Sequence, residues 1–205
     1  MGAPLTAALP ALVLCGGRGT RLRSSKEKPL VSVCDEPMFD RVVRALRTSR
    51  VSPIYAVTSL HTPETRAHAS DRGLDVVHAP GEGYVADLQY ALDAVGTPAL
   101  TVVADLPFLR PAHVDRALSD AYDGGENGEG VRSLTVCVPA DLKRRVGVSV
   151  DTTFEYQGRQ VAPTGLNVVG GEGVETETVS VVDDERLAVN VNRPTDREVA
   201  EARCD

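Results

Sequence analysis

The sequence lacks both a long apolar run and a cysteine pattern that would hold a metal. No window approaches the roughly 20 apolar residues that a bilayer-spanning helix needs. The four cysteines, at positions 15, 34, 137 and 204, form no CxxC pair and have no histidine close by. This spacing argues against a zinc site and against a disulfide framework. We therefore expect a protein of the reducing cytoplasm that does not span a membrane.

Positive charge is also scarce. The net charge is -7 at pH 7, and only 3 of the 22 basic residues are lysine. Because a polyanion is bound through accumulated lysine and arginine, this balance disfavours a nucleic-acid-binding protein. The remaining composition, with 42% hydrophobic and 25% charged residues over 205 positions, is ordinary for one globular domain. We expect residues 1–205 to form a single domain that carries the whole function.

Short β-branched runs alternate with helical patterns along the chain. This alternation is typical of an α/β fold with a mainly parallel sheet. It predicts helices after Pro37, after Thr62 and Pro63, after the glycines at 81–83, and from Thr195. Residues 146–165 predict a hairpin beside the sheet, residues 1–10 an N-terminal tail, and residues 123–130 a flexible loop. Strands are predicted over 11–16, 54–59, 74–79, 99–105, 134–139 and 165–170.

The first predicted strand leads directly into a loop rich in glycine and basic residues, LCGGRGTRLRSSKEKPL (14–30). Consecutive glycines expose backbone N–H groups, as anion-binding loops require. The Walker pattern is absent, and the dinucleotide pattern GxGxxG fails at Leu22, where its third glycine should stand. Arg18, Arg21 and Lys28 suit a nucleoside triphosphate that loses pyrophosphate. The alternative is a glycine-rich surface turn with solvated charges.

These residues resemble a family. The loop and its EKPL ending are similar to the LAGGxGTRM…KPL signature of Rossmann-like nucleotidyltransferases, which include sugar-phosphate nucleotidyltransferases and molybdenum-cofactor guanylyltransferase. One branch, the archaeal adenosylcobinamide-phosphate guanylyltransferases, resembles nearly the whole chain. The stretches that carry this resemblance, in order, are AVTSLHTPET, GEGYVADL, VVADLPFL, PTGLNVV and AVNVNRPTD.

The resemblance implies a fold and a reaction. The fold would be a Rossmann-like nucleotidyltransferase fold, with a mostly parallel central sheet flanked by helices. GTP would lose pyrophosphate, and its GMP would join a corrinoid phosphate, adenosylcobinamide phosphate, in cobamide (vitamin B12) synthesis. The nucleophile would be an ionised phosphate oxygen, so the enzyme would need no strong general base, and the sequence shows none.

The resemblance also assigns catalytic roles to Arg21, Lys28 and Asp105. Arg21, with Arg18, would hold the β- and γ-phosphates, and Lys28 would reach the α-phosphate. Asp105 ends the predicted strand 99–105, where ligands bind in open α/β sheets, and would bind Mg²⁺. The alternative is that Asp105 caps the following turn. Asn167 and Asp183 are the candidate metal partners.

Further candidates for nucleotide binding lie in the glycine loops and beside them. Gly81 and Gly83 would let the backbone approach the base or the ribose. Relatives often carry an acidic residue where this chain has His78, so the group that selects guanine stays open between Glu82, Asp87 and backbone carbonyls. The candidates are Cys15, Gly16, Gly17, Arg18, Gly19, Thr20, Ser59, Gly81, Gly83, Tyr84, Asp87 and Asn167.

Two other features have two interpretations each. The pair Asn190 and Asn192 resembles an element that closes the floor of the site in the superfamily, or it bonds a loop. The basic run DLKRR (141–145) either meets the phosphate of the corrinoid or forms a solvated face.

Alternative functions remain open at this stage. Within the same class, the acceptor would be a molybdenum cofactor or a sugar phosphate. In another class, the protein would be a nucleotide-binding regulator without catalysis. The expected partners are small molecules, GTP and a corrinoid phosphate, with no nucleic acid. The oligomeric state is not predicted, and a homodimer is among the options.

Overall fold

A sheet of eight strands forms the centre of the computed structural model, which describes residues 8–122, 130–171 and 177–204. The strand order is β10-β7-β9-β6-β1-β4-β5, and β8 pairs with β9. Strands β2 and β3 form a separate hairpin. The strands are β1 Leu9–Leu14, β2 Ser32–Val33, β3 Glu36–Pro37, β4 Val51–Thr58, β5 Asp75–His78, β6 Ala99–Val103, β7 Ser133–Pro139, β8 Phe154–Tyr156, β9 Arg159–Val169 and β10 Glu177–Val181.

The sheet is mostly parallel. Strand β1 lies between β4 and β6 and is parallel to both, and β4 is parallel to β5. Strand β9 is antiparallel to its three neighbours β6, β7 and β8, while β7 and β10 pair in parallel. Among the described strands of this sheet, β9 is therefore the one that runs in the reverse direction. The parallel strands end at one edge, where ligands bind in such folds.

Seven α-helices lie in the described part of the chain. Successive residues of a strand face opposite sides of a sheet, and β1 shows this directly. Ala11 and Val13 belong to the core under α1, α2, α4, α5, α6 and α7, whereas Leu12 packs against Ala91 and Leu92 of α3 on the other face. The helices are α1 Met38–Arg47, α2 Pro63–Asp71, α3 Tyr84–Val95, α4 Pro111–Ala121, α5 Ala140–Val146, α6 Glu185–Ala188 and α7 Pro194–Glu201.

The secondary-structure predictions are largely confirmed. Each predicted strand is present with shifted ends, and β1 starts at Leu9, inside the predicted tail. The predicted hairpin is present as β8 and β9, which are joined by a turn at Gln157 and Gly158. Helices α5 and α6 and strands β2, β3 and β10 were not predicted. Residues 1–7 and 123–129 lie outside the described residues. The predictions of a tail over residues 1–7 and of a flexible loop over 123–130 are therefore not tested.

The expectation that the cysteines form no disulfide is wrong. Cys34 and Cys204 are joined by a disulfide bond with a Cα–Cα distance of 5.4 Å. The two cysteines are 170 residues apart in the sequence, so their spacing alone carried no sign of the pairing. The bond links the turn between β2 and β3 to the segment that follows α7. Cys15 and Cys137 are free and buried.

No helix in the described residues combines the length and the apolar character that crossing a membrane requires.

Candidate active site

A cleft of about 580 Å³ opens at the carboxyl ends of β1, β4 and β6. Its position matches the edge at which parallel sheets bind ligands. The structure brings most of the predicted site residues together there. The predicted residues that line the cleft are Cys15, Gly16, Gly17, Arg18, Arg21, Lys28, Gly81, Gly83, Tyr84, Asp87 and Asp105.

The loop after β1 packs closely against the segment that carries Lys28. Gly19 has a φ of +61°, and a Cβ added there would lie 2.8 Å from the Cβ of Lys28. Glycine is therefore needed at this position for both conformation and space. A Cβ added at Gly17 would meet nothing within 4 Å, so the backbone there is open to a ligand.

Three predicted residues, Gly19, Thr20 and Ser59, do not line the cleft. The Ser59 hydroxyl is buried and donates to the Gly16 carbonyl at 2.8 Å. Thr20 and Gly19 lie in the turn beyond the cleft wall, where a short 3₁₀ helix spans Thr20–Leu22. Cys15 lines the cleft, but its thiol is buried, and this burial raises its pKa far above the usual range. Ser59 therefore holds Gly16 in place.

Lys28 and Asp105 form a partly buried ion pair at the base of the cleft. The Lys28 ammonium donates to Asp105 Oδ2 and, at 2.7 Å, to Asn192 Oδ1. The other carboxylate oxygen, Asp105 Oδ1, accepts a hydrogen bond from Asn190 Nδ2 at 3.1 Å. Asn192 lines the cleft, whereas Asn190 lies beside it. The two asparagines bond the two charged residues of the pair.

The predicted arginines lie at the rim. The side chain of Arg21 is 63% exposed and pairs with Asp151 at 3.0 Å. Asp151 also accepts from Arg193 at 2.6 Å. Arg18 Nε lies 3.3 Å from His61 Nε2. An exposed ion pair such as Arg21–Asp151 contributes little to stability, so Arg21 can exchange its partner for a phosphate at low cost.

Asp87 holds the second glycine loop. Its carboxylate is buried at the start of α3 and accepts from the Gly81 N–H at 2.8 Å through Oδ1. The other oxygen, Oδ2, lies 3.0 Å from a Cβ added at Gly16. Asp87 thus bonds the second glycine loop and lies against the first, in the wall of the cleft. His78 is exposed at the end of β5 and does not line the cleft, whereas Glu82 does.

A second groove of about 1050 Å³ continues from the cleft across β6, β7 and β9. Asn167, Lys143 and Asn190 line it. Asn167 therefore lies in this groove and not in the cleft, and Asp183 lines a different groove, beside Cys34 and Cys204. The residues common to the cleft and the second groove are Arg21, Tyr84, Leu88, Val103, Asp105 and Asn192.

Tyr84 stands at this boundary. Burial and the charge of Asp105 both raise the pKa of its phenol. The phenol is therefore neutral at physiological pH and can donate a hydrogen bond at the point where the two spaces meet.

Two carboxylates that position the site were missed by the sequence analysis. Glu27 accepts from the N–H groups of Glu64 and Thr65, at 2.8 and 2.7 Å, and from the Thr65 hydroxyl at 2.6 Å. It thus places a negative charge at the first turn of α2, where helix N-termini favour anions. Because Glu27 precedes Lys28, this contact fixes the segment that carries the lysine.

Asp196 is the second of these carboxylates and is fully buried. It accepts from the Ser149 N–H and hydroxyl at 2.7 and 2.8 Å, and from the N–H groups of Asn192 and Arg193 at 3.0 and 2.8 Å. A buried carboxylate with this many donors is well satisfied. Asp196 therefore fixes the backbone that carries Asn192.

Residues 11–150 match the family model described as MobA-like NTP transferase domain. Over 199 residues the chain is 30% identical to the adenosylcobinamide-phosphate guanylyltransferase of Methanocaldococcus jannaschii, a match that covers 94% of this chain and 96% of that protein. It is also 31% identical over 119 residues to the bifunctional protein GlmU of Maricaulis maris, covering 56% of this chain and 26% of GlmU.

Solved structures show the same fold at low sequence identity. The Rv0371c protein of Mycobacterium tuberculosis has a TM-score of 0.68 and 16% identity, covering 96% of this chain and 99% of that one. A CMP:2-keto-3-deoxy-manno-octonic acid synthetase complexed with CTP has a TM-score of 0.55 and 18% identity, covering 80% and 74%. By its sequence match and its fold, the chain belongs to the MobA-like NTP transferase family and is a nucleotidyltransferase.

Proposed function

We propose that the protein transfers GMP from GTP to the phosphate of adenosylcobinamide phosphate, forming adenosylcobinamide-GDP and pyrophosphate. The full-length similarity to the M. jannaschii guanylyltransferase supports this reaction. The observation that carries the proposal is that the cleft and the larger groove share lining residues, Asp105 among them. A cleft beside the glycine loops meets a larger groove at Asp105, so a nucleotide in one and a bulky acceptor in the other would meet there.

The reaction is a displacement at the α-phosphorus of GTP. An oxygen of the acceptor phosphate forms a bond to the α-phosphorus, and the bond from that phosphorus to the bridging oxygen of the β-phosphate breaks. The bonding electron pair leaves with pyrophosphate. Because the attacking oxygen is already ionised, no proton has to be removed. The protein therefore has to align two anions and offset their negative charge.

The residues of the cleft suit this task. The open backbone at Gly17 and the guanidinium groups of Arg18 and Arg21 would bind the β- and γ-phosphates. Lys28 would bind the α-phosphate, where the charge changes most during the reaction. In the structure its ammonium already donates to Asp105 and Asn192, which hold it at the junction of cleft and groove.

The same residues fit Mg²⁺. The Asp105 carboxylate already holds a cation, the Lys28 ammonium, and the side-chain oxygen of Asn192 is bonded to that same ammonium. Carboxylate and amide oxygens are the ligands that Mg²⁺ prefers in proteins. Asp105 would hold the ion, and Asn192 would be its neighbour. Bound Mg²⁺ would neutralise charge on the triphosphate.

Glu82 is the best-placed acidic group for guanine. Asp87 uses one oxygen to hold Gly81, and its other oxygen lies against Gly16. Glu82 is exposed and lines the cleft between Gly81 and Gly83. Within the residues that the structure describes, its carboxylate has no hydrogen-bond partner. It could therefore accept from the N1–H and the 2-amino group that distinguish guanine from adenine.

Calorimetric titration with GTP, ATP, UTP and CTP in the presence of Mg²⁺ is the first test. Selective binding of GTP supports the proposal, whereas preference for UTP or CTP would contradict it and favour a sugar-phosphate acceptor. Pyrophosphate release is then measured with adenosylcobinamide phosphate and with glucose 1-phosphate as acceptors. Release only with the corrinoid is expected. Nucleotide binding without release from any acceptor would indicate a binding protein without catalysis.

A further inference from the structure

Lys143 is a buried cation behind the reaction centre. It belongs to the basic run at 141–145, all of which lies in α5, but the side chains of that run differ in exposure. Arg144 and Arg145 are exposed, whereas Lys143 is only 4% exposed. A lysine is almost never fully buried unless it is paired, because its charge loses hydration. The contacts of this lysine therefore have to explain its burial.

The direct partner of Lys143 is Asn190. The Lys143 ammonium donates to Asn190 Oδ1 at 2.7 Å. An ammonium has three donors and no acceptor, so the amide must turn its oxygen towards it. The amide nitrogen then points the other way and donates to Asp105 Oδ1 at 3.1 Å and to the Thr164 carbonyl at 2.9 Å. The amide is thus bonded on both of its ends.

The series of hydrogen bonds from Lys143 through Asn190 to Asp105 determines which oxygen of Asp105 is available. Asn190 occupies Oδ1, and Oδ2 is the oxygen that faces Lys28 in the cleft. The charges around Lys143 agree with such a link. Burial lowers its pKa, and the carboxylates of Asp105, Asp196 and Asp151 raise it. The lysine therefore lies in the field of the same carboxylate that it reaches through Asn190.

We propose that Lys143 is a positioning residue of the active site. Through Asn190 it fixes the Asp105 carboxylate, so that Oδ2 is presented to Lys28 and to a divalent cation bound with the triphosphate. The inference rests on the proposed function only in assigning a cation–triphosphate complex to Asp105. It assigns no direct contact between Lys143 and a substrate, although the lysine borders the larger groove.

The test measures cation binding without an acceptor. Mn²⁺ is titrated into the protein and GTP, or whichever nucleotide the calorimetry selects, and free Mn²⁺ is followed by electron paramagnetic resonance. Lys143→Met is expected to weaken Mn²⁺ binding and kcat by about 10- to 100-fold, the usual effect of losing a group that orients a metal ligand. Lys143→Arg should recover part of the loss. Arg144→Met, an exposed cation on the same helix, is the matched control and should change neither quantity.

A double-mutant cycle separates positioning from general stabilisation. If Lys143 acts through Asn190, the pair Lys143→Met with Asn190→Ala should bind Mn²⁺ as weakly as Asn190→Ala alone. Additive losses would overturn the proposal, as would wild-type Mn²⁺ affinity in Lys143→Met. A rise confined to the acceptor KM would assign the lysine to the acceptor instead. Far-ultraviolet circular dichroism checks the folding of each variant, and Asn190→Ala tests the same link if Lys143→Met does not fold.

The result is distinguishable from a failure of the proposed function. Mn²⁺ binding is measured without any corrinoid, so a different acceptor leaves the expected loss unchanged. If the calorimetry finds no binding of any nucleotide, the proposed function fails. The positioning role is then tested with Mn²⁺ alone, where equal affinity of wild type and Lys143→Met overturns it.

Discussion

Reduction of the Cys34–Cys204 bond should lower the free energy of unfolding by about 5 kcal/mol. The bond closes a loop across a sequence separation of 170 residues, and the chain-entropy relation for a loop of that size gives this value at 25 °C. The bond restricts the unfolded chain far more than the folded one. For a protein of this length, the loss corresponds to a fall in Tm of about 10 to 20 °C.

Urea unfolding followed by circular dichroism provides the assay, with and without a reducing agent. The oxidised protein should also show a smaller m-value, since the cross-linked unfolded chain exposes less surface. The variant carrying both Cys34→Ser and Cys204→Ser is the control, because its stability should not respond to the reducing agent. Cys15 and Cys137 are buried and free, so they should not contribute to the difference.

Equal unfolding midpoints for the oxidised and reduced wild-type protein would refute the entropic reasoning. Thiol titration of the folded protein provides an independent check. Without a reducing agent, no thiol should react, because the two free cysteines are buried and burial raises the pKa of both thiols. Two reactive thiols in the folded, unreduced protein would show that the bond does not form.

Three further predictions concern the cleft. Lys28→Met should lower the rate of pyrophosphate release by about 100-fold or more, equivalent to roughly 3 kcal/mol of transition-state stabilisation. Lys26→Met, an exposed neighbour, should react normally, and a wild-type rate for Lys28→Met would remove Lys28 from the mechanism. Glu27→Gln should cost about 1 kcal/mol in urea unfolding, because it removes the charge at the first turn of α2, and should weaken GTP binding in calorimetry. An unchanged affinity would show that this contact does not position the loop. Glu82→Gln should reduce the preference for GTP over ATP by about 10-fold, because one acceptor oxygen becomes an NH2 donor and the bidentate contact, worth roughly 1–3 kcal/mol, is broken. A preference equal to that of the wild type would exclude Glu82 as the guanine acceptor.

The fold was predictable because its signals are local. Apolar β-branched runs such as that of β6 mark strands wherever they lie in the chain. The loop after β1 was predictable for a similar reason, since its glycines and basic residues are adjacent in the sequence. The carboxyl ends of parallel strands share one edge, so Asp105 could be placed near that loop before any contact was known.

What the sequence did not reveal depends on contacts between distant segments. Glu27 reaches the first turn of α2 across 37 residues, and Cys34 meets Cys204 across 170. Nothing in the neighbourhood of either residue in the sequence indicates its partner. The last helix shows the same limit on a smaller scale. The sequence predicted a helix from Thr195, whereas α7 begins at Pro194 and Asp196 accepts a hydrogen bond from the Arg193 N–H.

The basic run at 141–145 shows that the burial of each charged residue depends on how its helix packs, which the charge pattern alone does not indicate. In the sequence it is one block of positive charge, and a solvated face was one of its two interpretations. Successive side chains on a helix are rotated by about 100° around its axis. Within one turn of α5, Lys143 is therefore buried while Arg144 and Arg145 are exposed. Which member would be buried depended on the direction from which α5 packs against the sheet.

The floor of the cleft joins segments that lie far apart in the sequence. Lys28 precedes β2, whereas Asn190, Asn192 and Asp196 follow β10, and they meet only in the folded protein. A ribosome that has synthesised the chain only as far as β9 has already made the glycine loops and Asp105, but not the asparagines that bond Lys28 and Asp105. The floor of the cleft is therefore complete only when the segment that follows β10 has been synthesised, because β1 to β9 alone lack the contacts that hold Lys28 and Asp105.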